Sequence, residues 1–319
     1  MDELTEEFVK QNLPAAVNKL TLSNFVDERF VADLQSVVGL FPQELKHAYL
    51  ASSLSEAVDK AVKSLWLSRA PRKRMLTFRG HFFGDSTLLT RSLSGIGEPL
   101  FEVQFIEEPG YADGIESFDE LRSALRGDEV LAFFVEPISQ RTMRAVDRQT
   151  LAKVRDLCAE FGVPLVYNET ASMFFRYSED AFSTSGIVSV MPDAAIAYLG
   201  GQQAIALMRR SLFAAEPLKL ISTWDGDGFS LAKFAAVARV VMSDQAGFRR
   251  LAEDFGRVLT ERLSRGGTAS CGLRSGAGWI EGDLPKDLEL LFTQVSKNVW
   301  RVCPSASAMR VFLQHFSNG

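Results

Sequence analysis

Two strand ends and one helix start hold the residues with chemical potential. Glu136-Pro137 closes the apolar run Val130 to Val135, and Asn168-Glu169 closes Val163 to Tyr167. Between them Leu151, Val154, Leu157, Cys158 and Phe161 share one helical face. Runs without polar interruption are expected of strands buried on both sides of a parallel sheet. Strand, helix and strand then make a βαβ unit, and such sheets bind ligands beyond their carboxyl ends, where Glu136 and Asn168 fall. Upstream, Ser52-Ser53-Leu54-Ser55 runs into Glu56 and then Ala57, Ala61, Val62 and Leu65 at helical spacing. Hydroxyls with an acidic residue just inside are what a helix N-terminus wants. Cys158, Cys271 and Cys303 are too few and too scattered for a disulfide framework or a zinc cluster, and His47, His81 and His315 lie far apart. None of the three histidines has a partner pattern, so each is expected in the core or on the surface.

The elements that position these residues belong to a chain of 319 residues, enough for two domains or one large domain with an appendage. It is 46% hydrophobic and 24% charged, with 35 Lys and Arg against 40 Asp and Glu, a net charge of −5. That balance gives no broad basic surface for nucleic acid. The start, MDELTEEF, is acidic where a signal peptide is basic and then apolar, and no apolar run is long enough to span a bilayer. A soluble, cytoplasmic α/β protein without membrane or nucleic-acid partners is expected. Its 24 Phe against 5 Tyr predict a core of rings without a polar handle. Phe8, Leu13, Val17 and Leu20 suggest helix in the first forty residues. Further strands are expected at His47 to Ala51, Met75 to Phe78, Ala194 to Tyr198 and Ala204 to Met208. A long helix from Leu231 to Arg265 is expected to break near Gln245-Ala246-Gly247. A helix near Leu288 to Val295, a strand near Val299 to Val302 and a last helix complete the tail. These divide the chain into an N-terminal helical segment (1–44), a large domain with the long helix (45–265) and a small α+β domain (266–319).

The ordered blocks SSLSEAVDKAV, FRGHFFGDSTLLTRSLSG, FFVEPIS, LVYNETASMFFR, PDAAIAYLGG and STWDGD resemble the class III aminotransferases of PLP fold type I, with the pattern of the L-lysine 6-aminotransferases. The resemblance runs from about Leu45 to the C-terminus. It implies a large domain whose mostly parallel sheet is sandwiched by helices, a reduced α+β small domain, and a homodimer with sites built across the two-fold interface. It also assigns roles. Ser53 and Ser55 match the turn that holds the cofactor phosphate, and Phe82 matches the ring stacked on the pyridine. Glu136 matches an active-site glutamate, and Thr223 the threonine that reaches the phosphate across the interface. Arg301 resembles the arginine that grips a substrate carboxylate with its fork.

The departures bear on activity. Leu54 stands where glycine lets the phosphate approach, and Phe83 stands for histidine. Asn168 replaces the aspartate that ion-pairs with the pyridinium and makes the ring an electron sink. Ala171 replaces a glutamine, and Phe174-Phe175 sits where the family keeps small or polar residues. The Schiff-base lysine falls near Tyr198, Leu199 or Gly200, and no lysine occurs between Lys153 and Lys219. Without that amine there is no internal aldimine and no base for the proton shift. The resemblance further implies an abbreviated N-terminal segment and a trimmed small domain, both opening the pocket to water.

Taken singly, the same residues have plain structural readings. Ser53-Leu54-Ser55 is a helix cap, Glu136 and Asn168 are polar strand ends, Phe82-Phe83 is core, and Arg301 is a surface arginine. Three functions stay open. One is a degenerate homologue with a binding, regulatory or scaffold role. Another is an enzyme reusing the pocket on an amino-acid-like ligand, with PLP or PMP held non-covalently or with no cofactor. The last is an aminotransferase with a displaced lysine such as Lys219 or Lys233.

Overall fold

The computed structural model describes residues 6–13, 28–110, 118–214, 216, 219–220, 225–265, 270–284, 286, 288 and 291–316. Helices α1 (Glu6–Asn12) and α2 (Glu28–Val38) precede strand β1 (His47–Ala51) and helix α3 (Leu54–Arg69). There follow β2 (Arg74–Phe78), α4 (Leu88–Leu93), β3 (Val103–Ile106), α5 (Asp119–Leu125), β4 (Val130–Val135), α6 (Arg148–Glu160) and β5 (Leu165–Asn168). Next come β6 (Ala194–Gly200), β7 (Gln203–Met208), α7 (Gly228–Ser243) and α8 (Gln245–Arg265). A second sheet takes β8 (Ser270–Arg274), β9 (Ala277–Glu281), β10 (Phe292–Ser296) and β11 (Val299–Val302), before α9 (Ala306–Phe316).

The first sheet has the order β1-β7-β6-β5-β4-β2-β3. Its pairs from β6 to β3 are parallel, and β7 alone runs against its neighbours. Period-2 alternation sorts its side chains between two layers. Met75, Phe134, Val166, Ile196 and Ala206 face the core shared with α3. Phe133 and Tyr167 face the core that takes in α6. Ala195, Leu199 and Ile205 face the core shared with α2 and α7. The carboxyl ends of β2, β4, β5 and β6 therefore open on one edge, the ligand-binding edge of an open α/β sheet. Among the described residues no helix is long and apolar enough to cross a membrane.

The second sheet has the order β10-β11-β9-β8 and is antiparallel throughout. Phe255, Leu259 and Leu263 of α8 share its core with Ile280, Val302 and Phe312.

Two expectations need correction, those for Phe292–Ser296 and for the N-terminal apolar face. Phe292–Ser296 is a strand, not the end of a helix. It pairs with β11 through the two-residue turn Lys297-Asn298, and pairing with a partner strand overrides local helical spacing. The long helix does break beside Gln245-Ala246-Gly247, at Asp244. Asp244 leaves helical dihedrals (φ −134°, ψ 55°), and its Oδ1 accepts from Gly247 N at 2.9 Å to cap α8. At the N-terminus Leu13 is largely exposed, while Val17 and Leu20 lie outside the described residues.

Candidate functional site

The helix start is a cap first. Ser53 Oγ accepts from Glu56 N at 3.2 Å, and Glu56 Oε2 takes both Ser52 N and Ser52 Oγ at 2.7 Å. This leaves the N–H groups of Leu54 and Ser55 without an acceptor among the described residues, as the geometry of a first helical turn requires. Ser55 is turned inward. It is 3% exposed, and its Oγ accepts from Ser86 N and Thr90 Oγ1, each at 3.2 Å. The loop bearing Phe82 reaches it at Gly84, whose φ is 104° and where an added Cβ would stand 2.3 Å from Ser55 Oγ and 3.2 Å from its Cα. Gly84→Ala is expected to destabilise the chain by about 1–3 kcal/mol through forced displacement of that contact. Urea denaturation checks this, and an unchanged midpoint would refute the close approach.

Glu136, at the end of β4, is fully buried. It accepts from Phe82 N at 2.7 Å and from Gln140 N and Nε2 at 3.0 Å. Its own N–H donates to His81 Nδ1 at 2.9 Å. That bond places the imidazole proton on Nε2, which faces Glu108 Oε2 at 3.6 Å. Burial pushes the Glu136 carboxyl up, against the downward pull of its Gln140 and Phe82 donors. The Phe82 ring lies partly buried with the Arg141 guanidinium 5.0 Å from its centroid. Phe83 is core, edge-on to Phe134 at 5.8 Å.

Asn168, at the end of β5, is also fully buried. Its Nδ2 donates to Phe82 O at 2.8 Å, and its Oδ1 accepts from Thr170 N at 3.2 Å and Thr170 Oγ1 at 2.7 Å. Thr170 Oγ1 in turn accepts from Tyr198 N at 3.1 Å. One hydrogen-bonded chain thus joins Glu136, Phe82, Asn168 and Tyr198 across the sheet edge.

Beyond Tyr198 and Leu199 the backbone reverses at once. Gly200 pairs with Gln203, so β6 and β7 are joined by the two-residue turn Gly201-Gln202. Gly201 has φ 62°, the positive angle a hairpin needs at its first turn position. Tyr198 Oη donates to Gly201 O at 2.7 Å, and Gln202 N donates to Ser230 Oγ at 3.1 Å, which ties the turn to α7.

Arg301, on β11, donates to Gln140 O and so reaches Glu136 through Gln140. Thr223 lies outside the described residues. Two residues on, Asp225 pairs with buried Lys60 of α3, whose Nζ also donates to Leu50 O at 2.6 Å. The structure therefore brings Phe82, Glu136, Asn168 and Tyr198 together, with Arg301 one residue removed. Ser55 is engaged within the fold. His81, Gln140, Thr170 and Lys60 were not expected at the site. His81 had a signal in the loop it shares with Phe82, and Thr170 in its place two residues after Asn168.

No protein-family model matches the chain. It is 28% identical over 185 residues to adenosylmethionine-8-amino-7-oxononanoate aminotransferase of Mycobacterium leprae, covering 51% of this chain and 41% of that protein. It is 25% identical over 244 residues to the LysW-aminoadipate semialdehyde transaminase of Deinococcus radiodurans, covering 72% and 54%. The chain spans about half the length of these curated relatives. Among solved structures, the lysine aminotransferase of M. tuberculosis in its internal aldimine form superposes with a TM-score of 0.78 at 18% identity, over 98% of this chain and 84% of that one. At that identity the likeness establishes the fold. The chain carries the PLP-dependent transferase fold of type I and resembles the class III aminotransferases.

Proposed function

We propose that this chain is an aminotransferase-like protein that performs no conventional transamination and acts as a cytoplasmic homodimer in a binding, regulatory or scaffold role. The observation that carries the reading is the β6–β7 turn. By the resemblance the family's lysine falls near Tyr198, Leu199 or Gly200, and Gly201-Gln202 closes the hairpin without a loop that could carry one. No lysine lies between Lys153 and Lys219, and Lys219 pairs on the surface with Glu216.

The residues suit one half of pyridoxal phosphate and not the other. The free N–H groups of Leu54 and Ser55 at the start of α3 suit a phosphate. On the ring side, Asn168 is neutral and both ends of its amide are already bonded within the protein. It offers a ring nitrogen neither charge nor a free acceptor. Bound PLP supplies an electron sink where a carboxylate holds its ring protonated, and this chain keeps no such carboxylate at Asn168.

The free N–H pair favours a second reading, in which PLP or PMP is held by its phosphate alone, without a covalent link. In that reading Phe82 and Glu136 line the ligand, and Arg301 meets an amino-acid-like carboxylate.

The test is to incubate the purified chain with PLP, reduce with borohydride and map its peptides by mass. No pyridoxyl adduct on any lysine of the site is expected, and one there would overturn both readings. Thermal melts with excess PMP then separate the two, since a ligand that binds only the native state must raise stability.

A further inference from the structure

Two cavities meet at Arg176 and Ser275, the first of them beside the β6–β7 hairpin. One, of about 720 Å³, is walled by Met173, Phe174, Leu199, Phe234, Val241 and Leu251. The other, of about 630 Å³, is lined by Arg176, Arg249, Arg257 and Arg274 against Glu179, Glu253 and Glu261. Arg176 and Ser275 line both, so an arginine stands where the apolar chamber gives way to the polar one. Both volumes fall in the range of roughly 300–1,000 Å³ in which proteins hold small molecules.

Three features mark this junction. Arg176 is half-buried, yet among the described residues it makes no hydrogen bond, ion pair or ring contact. Two other arginines of the polar cavity are engaged without carboxylates. Arg249 lies over the Phe175 ring at 5.5 Å and donates to Glu179 O, and its buried Nε has no partner. Arg274 lies over the Tyr177 ring at 5.9 Å and donates to Tyr177 O at 3.2 Å. Part of the acidic lining is spent within the cavity itself, where Glu261 faces Arg257 at 3.5 Å. The apolar chamber also has Asp244 and Arg310 at its rim, and Asp244 is occupied in capping α8.

The backbone that presents Arg176 is itself unusual. Phe174 and Phe175 have φ 64° and 63°, left-handed values that bulky L-residues rarely adopt. Such conformations persist where the surroundings over-determine them, and they gather at ligand sites. Here the reversal sends Phe174 against Phe182 and Phe234 at 4.9 and 5.7 Å, at the apolar chamber, and Phe175 beneath Arg249. Arg176 is left between the two chambers.

We propose that Arg176 and the apolar chamber bind a monocarboxylate with a long apolar chain, a fatty-acid-like ligand. The guanidinium fork takes the carboxylate in the bidentate geometry it matches best. The chain lies among Met173, Leu199, Phe234 and Val241, removing apolar surface from water. This site is separate from the N–H groups of Leu54 and Ser55, and occupancy is expected whether or not those take a phosphate.

The test uses the full chain and calorimetric titration with sodium dodecanoate below its micellar concentration, beside dodecanol and acetate. Saturable binding of one dodecanoate per chain is expected, with dodecanol weaker by roughly tenfold or more for loss of a charge-assisted hydrogen bond. Acetate should give no detectable binding. Arg176→Gln should reduce dodecanoate to the affinity of dodecanol while leaving dodecanol unchanged. Ala236→Trp, filling the chamber from α7, should abolish both. The proposal is overturned if dodecanoate and dodecanol bind the native chain alike, if nothing saturates, or if Ala236→Trp leaves affinity intact, which marks surface adsorption. Should Arg176→Gln fail to fold by circular dichroism, Arg176→Lys supplies the comparison and must fall between the native chain and dodecanol binding. A lysine adduct in the borohydride experiment would overturn the proposed function and leave this result standing.

Discussion

Glu169→Ala is expected to lower the free energy of unfolding by about 3–5 kcal/mol, because it orphans buried donors that have nowhere else to turn. Glu169 follows Asn168 at the end of β5 and is fully buried. Its carboxylate accepts from Ser185 N and Oγ at 2.6 Å, from Thr184 N at 3.2 Å and from Ser172 Oγ. The two hydroxyls can rotate toward other acceptors, but the N–H groups of Thr184 and Ser185 are fixed in a 3₁₀ turn (Thr184–Gly186). Burial pushes the Glu169 carboxyl up against the pull of these donors, and it does the same to Glu136. The sign of the linkage follows. Above the unfolded value of about 4.3, the unfolded chain has released a proton that the native chain still holds, so stability falls as pH rises through the native pKa and then levels. Urea midpoints between acid and neutral pH should show this decline in the native chain and less of it in Glu169→Gln, which cannot titrate there. An unchanged midpoint for Glu169→Ala would show that the N–H groups of Thr184 and Ser185 do not depend on this carboxyl.

The sheet was legible because burial on both faces leaves a mark on every residue of a strand. Val130 to Val135 carries no polar interruption, and Phe133 and Phe134 serve opposite layers. The order of polar strand ends was legible for the same reason, and it located Glu136 and Asn168 on one edge. What the spacing could not carry was the direction of each polar group at that edge. Ser55 sits at a helix start, where its hydroxyl has two ways to turn, and only the approach of Gly84 and Thr90 decides for the interior. Asn168 reads as a lost charge, but that its amide is consumed by Phe82 and Thr170 depends on a loop from another part of the chain. His81 had no partner in sequence because its partner is a backbone N–H, which every residue but proline has. The strand β10 was misread because an edge strand, exposed along most of its length, has little alternation to detect.

The largest hidden contact is Lys60, and Lys60→Met is expected to cost about 3–5 kcal/mol because it leaves carboxylates without their cation. Its helical neighbours Ala57, Ala61 and Leu65 are core residues, and a lysine between them breaks the apolar face. The side chain is 5% exposed and pairs with Asp225, which is 16% exposed, with Glu56 Oε1 standing 3.7 Å away. Asp225 lies 165 residues along the chain, so the pair fastens the helix that starts at Ser53 to the segment that follows Thr223. Glu56 keeps its bonds to Ser52 when the lysine is lost, so most of the cost falls on Asp225. A buried pair removed whole costs far less than one removed by half, since desolvation of both ions roughly offsets their attraction. Lys60→Met with Asp225→Asn should therefore lose less than the two single losses added together, with a coupling of about 1–3 kcal/mol in the double-mutant cycle. Additive losses would show that Lys60 acts through its contact with Leu50 O and its packing, and that the ion pair fastens nothing.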